Sequence, residues 1–362
     1  MLSEMDIVKV YVMLGSACDF HCRHCLQHDL HPRLSKRPSP RLISYLQYLA
    51  DLRPRGIARM PEDVQVVFFG GEPLLYLPQM REIMERVERT NVRWSVVTNG
   101  SRLTDALIDE LNEGHVHVAL SNDGPDTAKV RDVNLLDDPG FCARFRRLES
   151  RSICATLHAY SQDLYRDWEY FDSRVGLDTP VAFDRLVLNW NMPKDIYDYD
   201  FPAWRRTCAQ VVDALVEAWE SSNDPLDDMR EAEFLAPYVR NASLALRGNA
   251  LFPACGACRK TANVDLDGNM WLCHNGFGRF ERCDSDGAKV AEEARVRFGE
   301  LRAGHGKPCK DCVALPICLE GCPFSGRSDA QARQCAFMRI LGEQVRRFMA
   351  TVAAYQTTEV DL

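Results

Sequence analysis

The chain has 362 residues, enough for one large domain and a smaller one, and its hydrophobic (46%) and charged (27%) fractions are those of an ordinary globular protein. A net charge of −8 argues against nonspecific binding to nucleic acid or to an anionic membrane, because both require a basic face. The first residues do not resemble a signal peptide, and no apolar stretch approaches the length of a membrane span. The fifteen cysteines therefore predict metal ligation in a reducing cytoplasm rather than disulfides.

Short apolar runs that alternate with helical patterns predict a parallel sheet with right-handed crossovers. The predicted strands are residues 7–14, 64–69, 92–97, 116–120, 153–158 and 186–190. Apolar residues at helical spacing predict helices at residues 41–52, 76–90, 103–112, 201–219 and 229–247. Polar or glycine-rich motifs follow several strands at their carboxyl ends, where barrel-like α/β folds place their chemistry.

Three cysteines follow the first predicted strand at x3 and x2 spacing: Cys18, Cys22 and Cys25. Three thiolates are one fewer than the four that hold an ordinary iron–sulfur cube. A cluster with three protein ligands keeps one iron open, by the logic that separates open catalytic metal sites from closed structural ones. The alternative is a zinc ion, with His24 or His28 as the fourth ligand.

Two polar motifs follow the second and fourth strands. In Gly70-Gly71-Glu72-Pro73 a flexible backbone can approach a ligand closely, and the carboxylate can accept hydrogen bonds from an ammonium group. The alternative is a tight connection between a strand and a helix. In Ser121-Asn-Asp123-Gly-Pro the aspartate is either a ligand contact or a turn-forming residue before glycine.

The last third of the chain carries eight cysteines within 81 residues, too many to be explained by packing: Cys255, Cys258, Cys273, Cys309, Cys312, Cys318, Cys322 and Cys335. Paired CxxC units taken alone would suggest zinc knuckles. Four other cysteines lie outside every motif and are predicted not to be ligands: Cys142, Cys154, Cys208 and Cys283.

Together these motifs resemble the radical S-adenosylmethionine (SAM) superfamily, and within it the SPASM-domain, peptide-maturase-like members related to anaerobic sulfatase-maturating enzymes. The resemblance covers residues 9–337, and it departs from the family where His24 replaces the usual aromatic residue before the third cysteine. It implies an α/β fold with a partial (β/α)6 barrel, followed by a small cysteine-rich SPASM domain with two auxiliary clusters. The expected division is 1–225 for the barrel, 226–250 for a connecting helix, 251–340 for the SPASM domain and 341–362 for a C-terminal helix and tail.

The resemblance also implies three [4Fe–4S] clusters and SAM as cofactors. Cys18, Cys22 and Cys25 would hold the SAM-binding cluster. The outer auxiliary cluster would be held by Cys309, Cys312, Cys318 and Cys335, and the inner one by Cys255, Cys258, Cys273 and Cys322. If only one of the Cys255/Cys258 pair ligates, the inner cluster has an open iron.

The implied SAM contacts lie in the polar motifs and shortly after them: Gly70, Gly71, Glu72, Pro73, Asn99, Ser121, Asp123 and Arg131. Glu72 would hold the amino group and Arg131 the carboxylate of SAM, while Asn99 and Ser121 would contact its polar groups. His274 follows Cys273 directly, where sulfatase-maturase-like members carry an aspartate that acts as general base. An imidazole can serve as a base near neutral pH, so His274 is the candidate base; the alternative is a solvent-facing residue.

The function implied by the resemblance is reductive cleavage of SAM to a 5′-deoxyadenosyl radical, which abstracts hydrogen from a peptide or protein side chain to form a crosslink, a thioether or an oxidised product. The alternative is a dehydrogenase or epimerase of a small molecule such as an aminoglycoside or sugar intermediate. A non-enzymatic iron–sulfur or zinc carrier is disfavoured because a carrier needs no SAM pocket.

The expected partners follow from the same resemblance. Seventeen residues before Cys18 leave no room for the leader-binding domain that begins several peptide maturases. We therefore expect either a separate leader-binding protein or no leader. A reducing partner such as flavodoxin or ferredoxin is implied, and neither nucleic acid nor a membrane is expected as a partner.

Overall fold

The computed structural model describes residues 7–27, 36–52, 63–186, 192–221, 229–246, 261–275, 279–282, 296, 300, 309, 311–319, 321–322 and 328–358. All structural statements below refer to these residues. Two of the predicted cluster ligands, Cys255 and Cys258, lie outside the described residues.

The strands of the described part of the chain are β1 (Lys9–Met13), β2 (Val64–Phe69), β3 (Val92–Thr98), β4 (His117–Ser121), β5 (Arg151–Leu157), β6 (Val181–Arg185), β7 (Thr261–Asp265), β8 (Asn269–Trp271) and β9 (Arg279–Arg282). They form one sheet in the order β6-β5-β4-β3-β2-β1-β7-β8-β9. Strands β1 to β5 pair in parallel, and β7 pairs in parallel with the other edge of β1. Strands β8 and β9 continue the sheet antiparallel. The predicted α/β fold with a parallel sheet is confirmed.

The helices are α1 (Pro40–Asp51), α2 (Leu77–Val87), α3 (Asp105–Glu113), α4 (Pro139–Phe145), α5 (Leu164–Val175), α6 (Phe201–Ser221), α7 (Arg230–Leu246), α8 (Leu315–Cys318) and α9 (Ser328–Thr358). Helix α1 shows why the sequence forms them. The Ser39 side chain accepts a hydrogen bond from the Leu42 N–H at 3.2 Å, and Pro40 occupies the first turn, where its missing N–H leaves no bond unmade. Leu42, Leu46 and Leu49 recur on one face and are fully buried.

A row of fully buried side chains sets the register of the central strands. Val12 lies opposite Phe68, Phe68 opposite Val96, and Val96 opposite Val118, all at 0% exposure. Burying such a side chain contributes about 1.5–3 kcal/mol, and a slip of one residue would turn the whole row to the other face. The parallel register therefore brings the carboxyl ends of β1 to β4 to the same edge of the sheet.

Four strands of the described residues differ from the sequence prediction: β6 has other bounds, and β7, β8 and β9 were not predicted. The sixth strand of the described residues is Val181–Arg185. Of the predicted strand at 186–190, only Leu186 is described, and it follows β6; residues 187–191 lie outside the described residues. This strand stands at the end of the sheet and alternates half-buried Val181 and Phe183 with exposed residues, so it has no continuous apolar run. Strand β7 was not predicted, because buried polar residues such as Asn263 and Asp265 interrupt its apolar pattern.

The chain divides into two compact units. The first takes in the described residues of Met1–Ala155, Glu169–Ala182 and Cys255–His305, and the second those of Thr156–Trp168, Phe183–Ala254 and Gly306–Leu362. In the second unit Trp204 stacks on Phe337 with ring centroids 4.1 Å apart, and its indole N–H donates to the Phe337 carbonyl at 3.1 Å. Among the described helices, none is long and apolar enough to cross a membrane. The four-part division expected from the sequence stays a prediction.

Candidate active site

The loop that follows β1, residues 14–27, contains Cys18, Cys22 and Cys25, and we call it the cysteine loop. The segment after β2 forms backbone hydrogen bonds with the first part of the cysteine loop. The Gly71 N–H donates to the Gly15 carbonyl at 2.9 Å, and the Glu72 N–H donates to the Ala17 carbonyl at 2.8 Å. The Tyr76 hydroxyl accepts from the Ala17 N–H at 2.9 Å. The start of the cysteine loop is thereby attached to the end of the neighbouring strand.

The segment after β3 binds the cysteine loop through one carboxylate. Asp19 accepts hydrogen bonds from the Asn99 amide at 2.9 Å, the Ser101 hydroxyl at 2.8 Å and the Arg102 guanidinium at 2.9 Å. Burial alone would raise the pKa of Asp19, but these bonds outweigh it and the pKa lies below its ordinary value. Asp19 is therefore ionised and fully engaged at neutral pH.

The segment after β4 binds the second half of the loop. The Asp132 carboxylate accepts from the His21 N–H at 2.6 Å, and the Val130 carbonyl accepts from the Arg23 N–H at 2.8 Å. The Arg23 side chain adds a bond to the Lys129 carbonyl at 2.8 Å. Segments from three successive strand ends thus hold the loop that carries the three cysteines.

The cysteine sulfurs receive N–H donors. Cys18 accepts from the Phe20 N–H at 3.4 Å, and Cys25 accepts from the Gln27 N–H at 3.3 Å. Cys273 repeats this pattern with the Asn275 N–H, also at 3.4 Å. Such donors stabilise thiolate charge, and hydrogen bonds to sulfur are one means by which proteins tune iron–sulfur clusters. These donors fit cysteines that ligate a cluster.

Burial raises the pKa of the Cys22 thiol to about 12 and also raises that of Cys18, so metal binding to this loop must release protons. Within the described ranges, no three His, Cys, Asp or Glu side chains are arranged to hold a single metal ion. A four-iron cube spreads its thiolates more widely than one ion does. The fit to a cluster therefore rests on the three thiols of the cysteine loop and on the N–H groups that donate to the sulfurs of Cys18 and Cys25. It does not rest on side chains arranged around a single metal ion.

Glu72 is fully buried, and its carboxylate faces the protein. One oxygen accepts from the Leu74 N–H at 2.9 Å and from the Thr98 hydroxyl at 2.7 Å, and the other accepts from the Asn99 N–H at 2.8 Å. Burial raises the pKa of Glu72 to about 7 in spite of these bonds. The carboxylate joins the carboxyl ends of β2 and β3, and its contact with the SAM amino group stays a prediction.

The two glycines of the motif are needed because the chain approaches itself. A Cβ atom on Gly70 would lie 2.4 Å from the Gly15 carbonyl oxygen, and one on Gly71 would lie 2.2 Å from that of Ala17. Gly70 also has a φ of +147°, which side-chain-bearing residues rarely adopt. Pro73 then begins a 3-10 turn, Pro73–Tyr76. The close approach seen here is to the cysteine loop, and the predicted approach to SAM is untested.

Arg131 pairs with Asp123 through two hydrogen bonds, at 2.7 and 3.1 Å. Asp123 is fully buried, and although burial alone would lower the pKa of Arg131, Asp123 raises it. His24, the unusual residue of the cysteine motif, has its Nε2 atom 4.0 Å from the Asp123 carboxylate. The predicted pairing of Arg131 with the SAM carboxylate stays a prediction. Ser121 ends β4 half-buried, opposite Cys154 on β5.

His274 lies in an aromatic cluster with Tyr11 and Phe69. It stacks on Tyr11 with ring centroids 4.4 Å apart, and it meets Phe69 edge-on at 4.8 Å. Burial, with a smaller effect of Lys9, lowers the pKa of His274 to about 4. The imidazole is therefore neutral at pH 7 and only weakly basic. Its role as general base stays a prediction.

The second unit carries most of the remaining predicted ligands. The Cys312 N–H donates to the Cys309 carbonyl at 3.0 Å, Cys318 ends α8, and Cys335 lies on α9. A hydrogen bond to Cys312 raises the pKa of Arg339, and the nearby Cys335 and Cys309 raise it further. Three of the four cysteines predicted for the outer cluster therefore lie near enough to this guanidinium to act on its pKa. For the inner cluster, Cys322 belongs to the second unit and Cys273 to the first, and that assignment stays a prediction.

Several residues that build the site were not found by sequence reasoning: Asp19, Tyr76, Asp132 and Arg339. Asp19 could have been suspected because it lies between two motif cysteines. The others carry no local signal, because their roles depend on which loops the fold brings together.

Residues 12–138 match the family model described as the Radical SAM superfamily. The chain therefore contains a radical SAM domain.

Among its relatives is the serine-type anaerobic sulfatase-maturating enzyme of Klebsiella aerogenes, 21% identical over 353 residues that cover 89% of this chain and 81% of that protein. Another is the radical SAM cyclopropyl synthase TigE of Paramaledivibacter caminithermalis, 21% identical over 224 residues that cover 54% of this chain. That match covers 47% of TigE, so it spans about half the length of that relative.

Two solved structures have a similar fold. Native anSMEcpe with bound AdoMet and a peptide gives a TM-score of 0.66 at 16% identity and covers 95% of this chain and 99% of its own. Streptococcus suis SuiB bound to its precursor peptide SuiA gives a TM-score of 0.57 at 16% identity, covering 90% and 75%. At these identities the likeness concerns the fold.

Proposed function

We propose that this chain is a radical SAM/SPASM enzyme that cleaves SAM reductively and modifies a peptide or protein side chain by hydrogen abstraction. The observation that carries this proposal is the cysteine loop, held at the carboxyl edge of a parallel sheet within the radical SAM domain. The edge where several strands end is the common place for chemistry in such folds.

The names of the related proteins support a peptide substrate. One relative is called a sulfatase-maturating enzyme, and two structures of similar fold are described with a bound peptide or precursor peptide. The match to the maturating enzyme covers 89% of this chain. We therefore favour a peptide over a small molecule as the substrate.

In this proposal the chain's own residues have distinct roles. Cys18, Cys22 and Cys25 hold the first cluster, which, when bound, supplies the electron that cleaves SAM. The segments after β2, β3 and β4 hold the cysteine loop in place through the hydrogen bonds described above. Asp123 holds the ionised Arg131 guanidinium in a fixed orientation near Cys22 through two hydrogen bonds.

The proposal extends to the auxiliary clusters and partners. Arg339 supports an outer cluster, because it hydrogen-bonds Cys312, lies near Cys335 and Cys309, and carries a positive charge that favours thiolate ligands. The full proposal has three clusters, a SPASM domain, an external reductant such as flavodoxin or ferredoxin, and a separate leader-binding protein if the substrate carries a leader.

The test is anaerobic reconstitution followed by metal analysis and a SAM-cleavage assay. Three [4Fe–4S] clusters predict about twelve irons per chain. With a reductant and SAM we expect 5′-deoxyadenosine. If a short precursor peptide is encoded beside this gene, we expect the enzyme to change the mass of that peptide. Zinc in place of iron in anaerobically purified protein would overturn the proposal. Turnover of an aminoglycoside or sugar, with the peptide left unmodified, would replace the substrate class.

A further inference from the structure

Asp19 lies between the first two cysteines of the loop, and both of its carboxylate oxygens are engaged. The Asn99 amide donates to one oxygen, and Ser101 and Arg102 donate to the other. All three donors belong to the segment that follows β3. Asp19 is thus the group through which that segment holds the cysteine loop.

Asn99 connects Asp19 to the buried part of the site. Its backbone N–H donates to Glu72 at 2.8 Å, and its side-chain carbonyl accepts from the Ser101 N–H at 2.8 Å. Its amide group donates to Asp19 at 2.9 Å and also lies 3.8 Å from the Cys18 sulfur. Hydrogen bonds therefore run without interruption from Glu72 through Asn99 to Asp19, beside Cys18.

We propose that Asp19 is a positioning residue that orients the Asn99 amide between its own carboxylate and the Cys18 sulfur and so sets the electrostatic environment of the cluster. The inference rests on the proposed function only in so far as Cys18, Cys22 and Cys25 hold a cluster. The cysteine spacing alone does not predict this role for Asp19.

The cysteine loop has other attachments that do not involve Asp19. The Glu72 N–H donates to Ala17, and Asp132 accepts from the His21 N–H. Removing the Asp19 charge should therefore leave the loop in place. The main consequence should be electrostatic. The negative charge of Asp19 beside Cys18 disfavours reduction of the cluster, so removing the charge favours reduction. A stronger hydrogen bond from the Asn99 amide to the Cys18 sulfur would also favour reduction.

The experiment compares Asp19→Asn with wild type in the full chain, reconstituted anaerobically without SAM or substrate. Asparagine keeps the size and one acceptor oxygen, but it removes the charge. The matched control is Asp51→Asn, since Asp51 accepts two hydrogen bonds from Arg89, at 2.7 and 3.1 Å, on the surface of the same unit. Iron content, melting temperature and the midpoint potential of each cluster, followed by electron paramagnetic resonance, are measured for all three proteins. A variant with alanine at Cys18, Cys22 and Cys25 identifies the signal of the first cluster.

We expect Asp19→Asn to shift the midpoint potential of the first cluster to more positive values, with a melting temperature close to that of Asp51→Asn. Asp19→Ala, which also loses the acceptor, should release iron from the first cluster to a chelator about tenfold faster than wild type, the equivalent of about 1.4 kcal/mol.

A lowered melting temperature with an unshifted potential would show that Asp19 only supports the fold, and it would overturn the inference. Unchanged values of both quantities would overturn it as well while leaving the proposed function intact. Wild-type protein that binds no iron–sulfur cluster at Cys18, Cys22 and Cys25 would instead overturn the proposed function, and this inference with it.

Discussion

The two cysteine regions of the chain are held in different ways. The cysteine loop after β1 forms hydrogen bonds with segments that are far away in sequence: the Asn99 amide donates to Asp19, and the His21 N–H donates to Asp132. In residues 309–322 the backbone hydrogen bonds that the structure shows join near neighbours, such as Leu315 to Cys312 and Gly321 to Cys318. Bonds from distant segments therefore hold the first region at the edge of the sheet, and we expect ligation to contribute more to the shape of the second.

The largest effect is expected from replacing Cys18, Cys22 and Cys25 together by alanine. The variant should lose about four irons of about twelve and all SAM cleavage, because no thiolate remains for the first cluster. It should stay folded, because the loop is held by bonds that do not involve the thiols. Iron analysis, a deoxyadenosine assay and a melting curve measure the three outcomes.

The contrasting variant replaces Cys309 and Cys312 by alanine. It should also lose about four irons, but with a clearly lower melting temperature than the triple variant, because metal ligation contributes to the folding of a segment whose described backbone hydrogen bonds are local. Equal melting temperatures for the two variants would break the comparison between the regions.

An intermediate effect is expected at Cys255 and Cys258, replaced one at a time by alanine. Equal loss of iron in both variants would support a fully ligated inner cluster that acts by electron transfer. Loss in only one of them would indicate an inner cluster with an open iron. Iron retained in full by both variants would show that the inner cluster has other ligands. The control is Cys208→Ala, because Cys208 is a buried cysteine on α6 that is not predicted to be a ligand.

The smallest effect is expected from Glu72→Gln, which keeps the shape of the side chain but places an amide group among the donors Leu74, Thr98 and Asn99. Hydrogen bonds to a charged group contribute about 1.5–3 kcal/mol. SAM affinity should therefore fall roughly ten- to a hundredfold, with the iron content unchanged. Glu110→Gln, on the surface and paired with Arg81, is the matched control. Unaltered SAM affinity would restrict Glu72 to closing the turn after β2.

The pKa of Glu72 gives this variant a second readout. Since burial raises it from 4.5 to about 7, the folded protein holds a proton that the unfolded chain has released between these values. The free energy of unfolding of the metal-free protein should therefore fall as the pH rises, by about 2 kcal/mol between pH 5 and pH 7 from this group. The difference between wild type and Glu72→Gln in denaturant titrations isolates it. A difference that does not change with pH would show that the Glu72 carboxyl is not shifted.

The sequence by itself determined the class of fold. Residues 64–69 were predicted as a buried strand and form β2 with those bounds, because an apolar run covered on both faces has a clear local signature. The strand prediction from the sequence did not find β6 or β7. The exposed edge strand lacks such a run, and β7 buries polar residues that find their partners only in the fold, as Asp265 does with Asn269 and Trp271.

The cysteine spacing and the polar motifs likewise predicted a candidate site without any structure, because their positions after the strands place them at one edge of a parallel sheet. Only the tertiary structure decided how the side chains are paired. It joined Arg131 to Asp123, turned Glu72 towards Asn99, placed Asp19 among three donors and brought Arg339 to three cysteines. The physical reason is that a motif records which groups are present at which spacing along the chain. The partner of a buried charge is set by the register of neighbouring strands and by the loops which that register brings within hydrogen-bonding distance.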